Sequence, residues 1–598
     1  MTGPSLAEDS AHQLEQDTCP PESAAPSRWS SANREETKTA PPAHSIESAN
    51  RDTDPSGAET FGGLGLAGIR AGTIDFRTLE DQVRVRETLT AAGYTDHNLY
   101  KLLGQTRPSI RTAADLSKFL TLTNGSTPLE TLARLFLLNV ATPILEAERA
   151  VGPHGLDAWV RTGAVTIEGN MLLPAVRILR YKGLFVAVET VAASRSRQAD
   201  FVVGNTTSSE ILTRHMIRHT KGRMLDLGTG CGIQSLLAAP FYERIHATDV
   251  NPRAVMFARF NAKLNGFTNI SFDQGNLFEP VRGMSFDLIA SNPPIVISPD
   301  NHYLYRDNGL PCDTFIQRII RGAPEHLEEG GFCQLTCCWA HFGHQDDKER
   351  VSRWFDGTGC DVRVLRHLTQ TPADYTRSCC GQGGEPARHA DSYRRWLAYF
   401  EREKIEAIST GSIIMRRRDG KNHPVRISDG HLKPASGVGH DLLQEFEARD
   451  FLVQTREDAT LLKAQLRLSP RVRVEQQCEP TGSGWRHARS RLTRIGGLSR
   501  SFKSDATILN LLRRCDGSRR LGDTLLELAK TLPGDSRSVP GKYVRAVRTL
   551  IENGMLLPGP PSLTSREDNR AISNPKTMLL MRGLPSCGKS HRARRLAG

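Results

Sequence analysis

At 598 residues the chain is too long for one hydrophobic core, so about two to four domains are expected. Its 38% hydrophobic and 24% charged residues are those of a soluble globular protein; no apolar run of about eighteen residues and no basic-then-apolar leader is seen, so a cytoplasmic protein without a membrane span is expected. The net charge of +12 favours a polyanionic partner, and twelve cysteines scattered over this length do not make a disulfide framework.

In chain order, residues 1–70 are rich in Ser, Ala, Pro, Glu and Thr and are expected to be a disordered tail, because such a segment cannot bury enough apolar surface to offset its ordering entropy. Residues 71–195 read as helices (LEDQVRVRETLTAAGY, TPLETLARLFLLNV) followed by hairpin-forming strands, an α+β, winged-helix-like module for substrate recognition. Residues 196–420 alternate short apolar runs with helical segments, the pattern of a parallel sheet with crossover helices. Its strands are RMLDLG, RIHATDV, ISFDQG, FDLIAS, GFCQLTCCW, DVRVLRHL and AISTGSIIMRR, giving an α/β fold with a Rossmann-like seven-stranded sheet.

In the fifth of these strands Cys333, Cys337 and Cys338, with His341 and His344 nearby, have the composition of a zinc site, but they lie in an apolar run that reads as a buried strand, and no metal is expected. Residues 421–562 read as a second winged-helix-like module. Within it Lys463 to Lys503 carries ten Lys/Arg against two Glu, a charge that attracts RNA or, as a plain solvated loop, attracts nothing. Residues 575–598 contain GLPSCGKS, a complete phosphate-loop motif with Gly583, Gly588, Lys589 and Ser590. Only eight residues follow Ser590, too few for a sheet or a Mg²⁺-binding carboxylate, so a truncated remnant rather than a nucleotide site is expected.

The chemistry concentrates in the middle. RMLDLGTGCGIQS is a strand running into Gly228, Gly230 and Gly232 and then a helix; glycines at alternate positions let the backbone turn and approach a ligand at a strand's carboxyl end. The second strand ends in Asp249, 23 residues after Asp226, where a carboxylate accepts both hydroxyls of a ribose. The G-x-G-x-G spacing lacks the glycine that seats a pyrophosphate on the helix, which suits a nucleoside without phosphate. After the fourth strand comes Asn292-Pro293-Pro294, a stiff turn whose Asn292 amide oxygen and Pro293 carbonyl can both accept hydrogen bonds from one –NH2 group.

DLGTGCG, ATDVNPRAVMFARFNAKLNG and SNPP together resemble the class I S-adenosylmethionine-dependent methyltransferases, in particular the methyltransferase small domain group, which includes HemK/PrmC glutamine N5-methyltransferases and ribosomal RNA guanine-N2 methyltransferases. YRDNGLPCDTFIQRIIRGAPEHLEEGG is similar to the segment after N-P-P in the HemK-like proteins, and about residues 75–560 resemble bacterial multidomain methyltransferases of unassigned substrate. The resemblance implies S-adenosylmethionine as cofactor, with Asp226, Gly228, Gly230 and Gly232 along its methionine part, Asp249 at the ribose, Asn276 near adenine, and Asn251 and Asn292 also among the cofactor-binding residues. It further implies that Asn292, Pro293 and Pro294 bind and orient the target nitrogen, and that Thr207 or Ser208 caps the helix leading into the domain. Ile295 stands where the family carries Tyr or Phe, which removes an aromatic stacking partner but not the acceptors. His302, Tyr305 and Asp307 in NHYLYRDNG are candidates for the substrate pocket. The expected activity is N-methylation, of an RNA base on a ribosome or tRNA in the favoured reading, of a protein glutamine in its rival, with a non-catalytic RNA-binding protein as the third; oligomeric state is not legible.

Overall fold

The computed structural model describes residues 69–559 apart from 105–112, 196–197, 219–221, 344, 381–385, 421, 431–436, 483, 499 and 532–538. The expected disordered tail, apart from its last two residues, the phosphate-loop motif and His344 lie outside the described residues. The chain divides into two compact units, one ending at Leu442 and one beginning at Leu443.

The larger unit is organised by an eight-stranded sheet. Five strands match the first five apolar runs: β5 (Arg223–Leu227), β6 (Arg244–Asp249), β7 (Ile270–Gln274), β8 (Phe286–Ser291) and β9 (Leu327–Phe342). The last two runs form β10 (Cys360–Gln370) and β11 (Ile405–Arg417), and β12 (Arg426–Asp429) follows; β1 to β4 precede the sheet and are introduced below. The spatial order is β12-β10-β11-β9-β8-β5-β6-β7, parallel except where β11 lies antiparallel between β9 and β10. The expected seven strands are all present, and β12 is the correction. RISD is too short and polar to read as a strand, but Arg363 donates to the Arg426 carbonyl (3.2 Å) and to Ser428 Oγ (2.6 Å), and Arg366 pairs with Asp429 (2.6 Å), which fastens it along the edge of β10.

Cys333 and Cys337 pack with Leu335 and Trp339 on one face of β9, while Cys338 and Ala340 pack on the other, as strand alternation requires. The three thiols are therefore divided between two cores, and His341 bonds Ser409 (2.7 Å).

Residues 69–190 fold as helices, including α1 (Leu79–Ala91), and two hairpins, β1 (Val165–Glu168) with β2 (Met171–Pro174) and β3 (Arg177–Tyr181) with β4 (Leu184–Val188). They share one core with helix α4 (Pro252–Asn265), which follows β6; α2 (Thr207–His215) and α3 (Ile233–Ala238) come earlier in the chain. Helix α4 is sharply bounded, with Asn251 accepting from the Arg253 N–H at its start, Pro252 in its first turn and Gly266 (φ 77) closing it. Phe76 stacks on Phe260 with ring centroids 4.6 Å apart, and Arg253 forms a bidentate pair with buried Glu189.

The hydrogen bonds across this contact are regular. Asn265 accepts from the Phe185 N–H (2.9 Å) and donates to its carbonyl (2.7 Å); Asn261 does the same at Ala187 (2.7 and 2.9 Å) and also donates to the Cys231 carbonyl (2.8 Å). Four residues of helix rise about 6 Å and two residues of strand about 6.8 Å. Asparagines at i and i+4 therefore meet alternate residues of β4 in register.

The smaller unit holds a three-stranded sheet, β13 (Gln465–Leu468) between Asp516–Arg520 and Leu556–Pro558, under the helices Ala506–Arg514, Leu521–Ala529 and Val539–Glu552. Leu466, Leu511, Leu525, Val547 and Ile551 make its core. A second sheet joins β14 (Val472–Thr481), β15 (Gly484–Arg494) and β16 (Arg500–Ser504), so the basic stretch, for which a solvated loop was one of two readings, is a long hairpin with a third strand. Among the described residues no helix is long and apolar enough to cross a membrane.

Asn261→Ala removes the donor or acceptor of three buried bonds and is expected to destabilise the protein by about 2–4 kcal/mol, against about 1 kcal/mol for the half-buried Asn265→Ala. Urea unfolding curves measure both; equal costs at the two positions would contradict this account of the contact.

Candidate active site

A cleft of about 1820 Å³ opens at the carboxyl ends of β5 and β8, where the strand order reverses. Open α/β sheets take their ligands at this switch point. The space exceeds the roughly 300–1000 Å³ of a site for one small ligand, leaving room for two.

The glycine loop forms one wall. Gly228 (φ 74) and Gly230 (φ 57) both lie in the left-handed region, and a side chain added to either would meet nothing within 4 Å. The bare backbone therefore faces open space. The loop is pinned from behind, where the Gly228 and Thr229 N–H groups both donate to the Thr248 carbonyl at 2.9 Å.

Two residues expected along the cleft stand behind the loop instead. A Cβ on Gly232 (φ 85) would lie 3.1 Å from Ala258 Cα, so this glycine permits close packing of α3 on α4. Asp226 is buried, and its Oδ2 accepts from Thr229 Oγ1 (2.7 Å), Ser235 N–H (3.0 Å) and Ser235 Oγ (2.6 Å). Burial raises its pKa and these donors oppose the rise. The amide of Ser235 in the first turn of α3 has no helical acceptor of its own, which is why the carboxylate turns inward.

Asp249 does border the cleft at the end of β6. Its two oxygens accept from Gly230 N–H and Asn251 N–H, each at 2.9 Å, and burial raises its pKa against these bonds. Asn251 is beside it, with Oδ1 capping α4 and Nδ2 donating to the Asp200 carbonyl (2.8 Å). Asn276 is exposed at the cleft after β7, next to Leu277, a non-glycine residue in the left-handed region (φ 47). The helix leading into the domain is capped by Thr206, one residue before the expected Thr207 or Ser208.

Beside the glycine loop, one residue past the Leu227–Ser291 pair of the two adjacent strands, Asn292 is held at both ends of its amide. Its Nδ2 donates to Ser209 Oγ (3.0 Å) and its Oδ1 accepts from Thr336 Oγ1 (2.6 Å), leaving one lone pair on Oδ1. Pro293 and Pro294 line the same wall; the Pro294 carbonyl accepts from Asn308 Nδ2 (3.0 Å), while the Pro293 carbonyl takes no donor among the described residues.

Ile295 and Tyr305 border the outer part of the cleft, where Tyr305 lies 5.3 Å from the Tyr303 ring and edge-on to Phe201 at 6.0 Å. His302 joins this aromatic group against Tyr303 (4.6 Å). Asp307 does not reach the cleft. Its carboxylate accepts from the His302 and Tyr303 N–H groups (both 3.1 Å) and pairs with Arg306 (2.7 Å), so it fixes the loop that carries the rings.

Ser209, Thr336, Phe201 and Tyr303 escaped the sequence reading. For Thr336 a signal was present: it is one of two polar residues in the apolar run of β9, and the register pairs Leu335 with Ser291, which sets Thr336 beside Asn292.

Residues 203–346 match the model of the methyltransferase small domain, while 91–177 and 444–558 match two domains of unknown function, DUF7059 and DUF7782. The chain is 36% identical over 144 residues to the release factor glutamine methyltransferase of Aquifex aeolicus, covering 22% of this chain and 49% of that protein. It is 33% identical over 134 residues to a candidate protein N5-glutamine methyltransferase of Methanocaldococcus jannaschii (21% and 67%). It is also 35% identical over 135 residues to the ribosomal RNA small subunit methyltransferase C of Escherichia coli (22% and 36%). The chain thus spans about half of the Aquifex protein and about two thirds of the Methanocaldococcus one. With the glycine loop, Asp249 and Asn-Pro-Pro gathered at one switch point, the chain belongs to the methyltransferase small domain group of class I S-adenosylmethionine-dependent methyltransferases.

Proposed function

We propose that this protein transfers a methyl group from S-adenosylmethionine to an amino nitrogen of an RNA base. The supporting observation is the clamped Asn292 amide, with its free Oδ1 lone pair and the Pro293 carbonyl in the same cleft as the glycine loop. When bound, S-adenosylmethionine supplies an electrophilic methyl group on a sulfonium. The cleft fits that cofactor: Gly228 and Gly230 put no side chain in its way, Asp249 offers acceptors to a vicinal diol, and Asn251 and Asn276 border the same end.

Asn292 and Pro293 accept the two N–H bonds of a planar –NH2 group, which turns its lone pair out of that plane toward the cofactor side. Those bonds strengthen as the nitrogen becomes positive, so the acceptors favour the transition state over the bound substrate. Pro293 and Pro294 cannot relax, and the two hydroxyls keep the amide from rotating, so little reorganisation accompanies the reaction. The Phe201, Tyr303 and Tyr305 rings offer a planar base the apolar faces that Ile295 lacks, which favours RNA over an aliphatic glutamine. The relatives' glutamine methyltransferase names keep protein glutamine as the second reading.

Tritiated methyl transfer into ribosome, tRNA and protein fractions of a deletion strain tests the substrate: label in RNA is expected, and label in protein alone would sink the RNA reading. Asn292→Ala is expected to lower turnover about 100- to 1000-fold while S-adenosylhomocysteine affinity, read by calorimetry, is nearly unchanged. Asp249→Ala reverses the pattern, weakening that affinity about 10- to 100-fold. Because burial raises the Asp249 pKa, protonation begins above the ordinary carboxylate range and replaces an acceptor with a donor. Affinity therefore falls as pH is lowered into that range, and Asp249→Asn removes this pH dependence. Thr336→Val frees the Asn292 amide and is expected to lower kcat about tenfold with little change in KM, whereas Thr336→Ser retains activity; a loss shared by both variants would refute the positioning role.

A further inference from the structure

The sheet of β14, β15 and β16 in the smaller unit has two unlike faces. The register pairs Val474 with Leu492 and Leu492 with Phe502, and this inner face packs Leu492, Val472 and Phe502 into the unit's core. On the outer face the same register pairs Arg473 with Thr493, Gln477 with Arg489, Glu475 with Arg491, and Arg491 with Lys503. Four cations there, Arg473, Arg489, Arg491 and Lys503, are exposed, and none of these four has a carboxylate within ion-pair distance among the described residues. Arg491 donates to Ser501 Oγ (3.4 Å) and Arg473 to the Pro470 and Val472 carbonyls (3.1 and 3.0 Å).

This arrangement runs against the sheet's own stability. Arg491 and Lys503 are directly opposite one another, and like charges so placed are destabilising. Among the described residues the face carries two carboxylates, Glu475 and Glu479, and Glu479 is paired with Arg486 opposite it (2.9 Å). Beyond Gln476 the hairpin becomes a two-stranded ribbon whose described side chains are exposed as far as Arg489, on both faces. Ribbons of this kind enter nucleic-acid grooves, and the shallow minor groove of an RNA helix presents phosphates and ribose hydroxyls together. Beside the cations the outer face carries Gln477, Thr493 and Ser501, neutral groups that both donate and accept, and among the described residues it has no aromatic ring on which unpaired bases would stack.

We propose that the outer face of this ribbon docks the phosphate–ribose backbone of an RNA helix. The proposal deepens the RNA reading of the active site and rests on it for its biological meaning, but the surface is testable alone.

The test uses the full-length protein and a fluorescein-labelled 20-base-pair RNA hairpin, with anisotropy titrations at several KCl concentrations. The triple variant Arg489→Ala, Arg491→Ala, Lys503→Ala is expected to bind about tenfold or more weakly, with the slope of log K against log salt shallower by about two to three. Exposed substitutions of this kind leave folding nearly unchanged, which thermal melting checks. Arg489→Lys with Arg491→Lys keeps the charges and is expected to keep the salt slope. Unchanged affinity and slope in the triple variant overturn the surface, as does tighter, equally ribbon-dependent binding of polyglutamate, which would assign it to an acidic protein. Ribbon-dependent RNA binding without methyl transfer to any RNA fraction supports the surface and removes the RNA substrate. RNA methylation that survives in the triple variant with unchanged KM leaves the substrate reading intact and removes the surface.

Discussion

The Asp226 carboxylate lies under the glycine loop and collects three donors on one oxygen, two from Ser235 and one from Thr229. It joins the end of β5, the loop and the first turn of α3 at a single buried point. Because that carboxylate has no water to fall back on, the loop cannot shift without stripping it of donors, at a cost of several kcal/mol by the usual scale for buried charge. The fixed loop then directs the Gly230 N–H at Asp249, and Asp249 in turn receives Asn251 at the start of α4. One end of the cleft is thus the outer surface of a chain of bonds that begins at Asp226.

The wall at the end of β8 is built on a different principle. There Asn292 is a neutral amide between two hydroxyls on different elements, Ser209 on α2 and Thr336 on β9. A hydroxyl adapts its proton to its neighbour, so the clamp orients the amide without placing a charge on that wall. In the proposed reaction a charged donor wall would repel a nitrogen that becomes positive, and a neutral acceptor wall would not.

Most of the sheet was legible because its central strands β5, β8 and β9 are largely buried on both faces and read as apolar runs, with the shorter runs spaced regularly around them. β12 was not, since it depends on arginines more than sixty residues away in sequence. In the site, Gly228, Gly230, Asp249 and Asn292 could be located from spacing alone, because each ends or follows a recognisable strand. Asp226, Gly232 and Asp307 were assigned to the right neighbourhood and the wrong side: spacing along a chain says which turn a residue belongs to, and only neighbours such as Ser235, Ala258 and Arg306 decide which way it faces. Thr336 and Ser209 act through register and helix entry, which short motifs do not encode.

The asparagine pair on α4 also bears on solubility. Phe185 and Ala187 present the outward N–H and C=O groups of β4, the positions through which an unprotected edge strand recruits a strand from another molecule. Asn261 and Asn265 fill those positions with side-chain amides that imitate a neighbouring backbone and end there. The N-terminal hairpin therefore has a closed border without the help of a further strand, and the helix that closes it is the one that also supports the glycine loop through the Cys231 carbonyl. A chain folding without α4 in place would expose both the unfinished loop and a strand edge ready to aggregate.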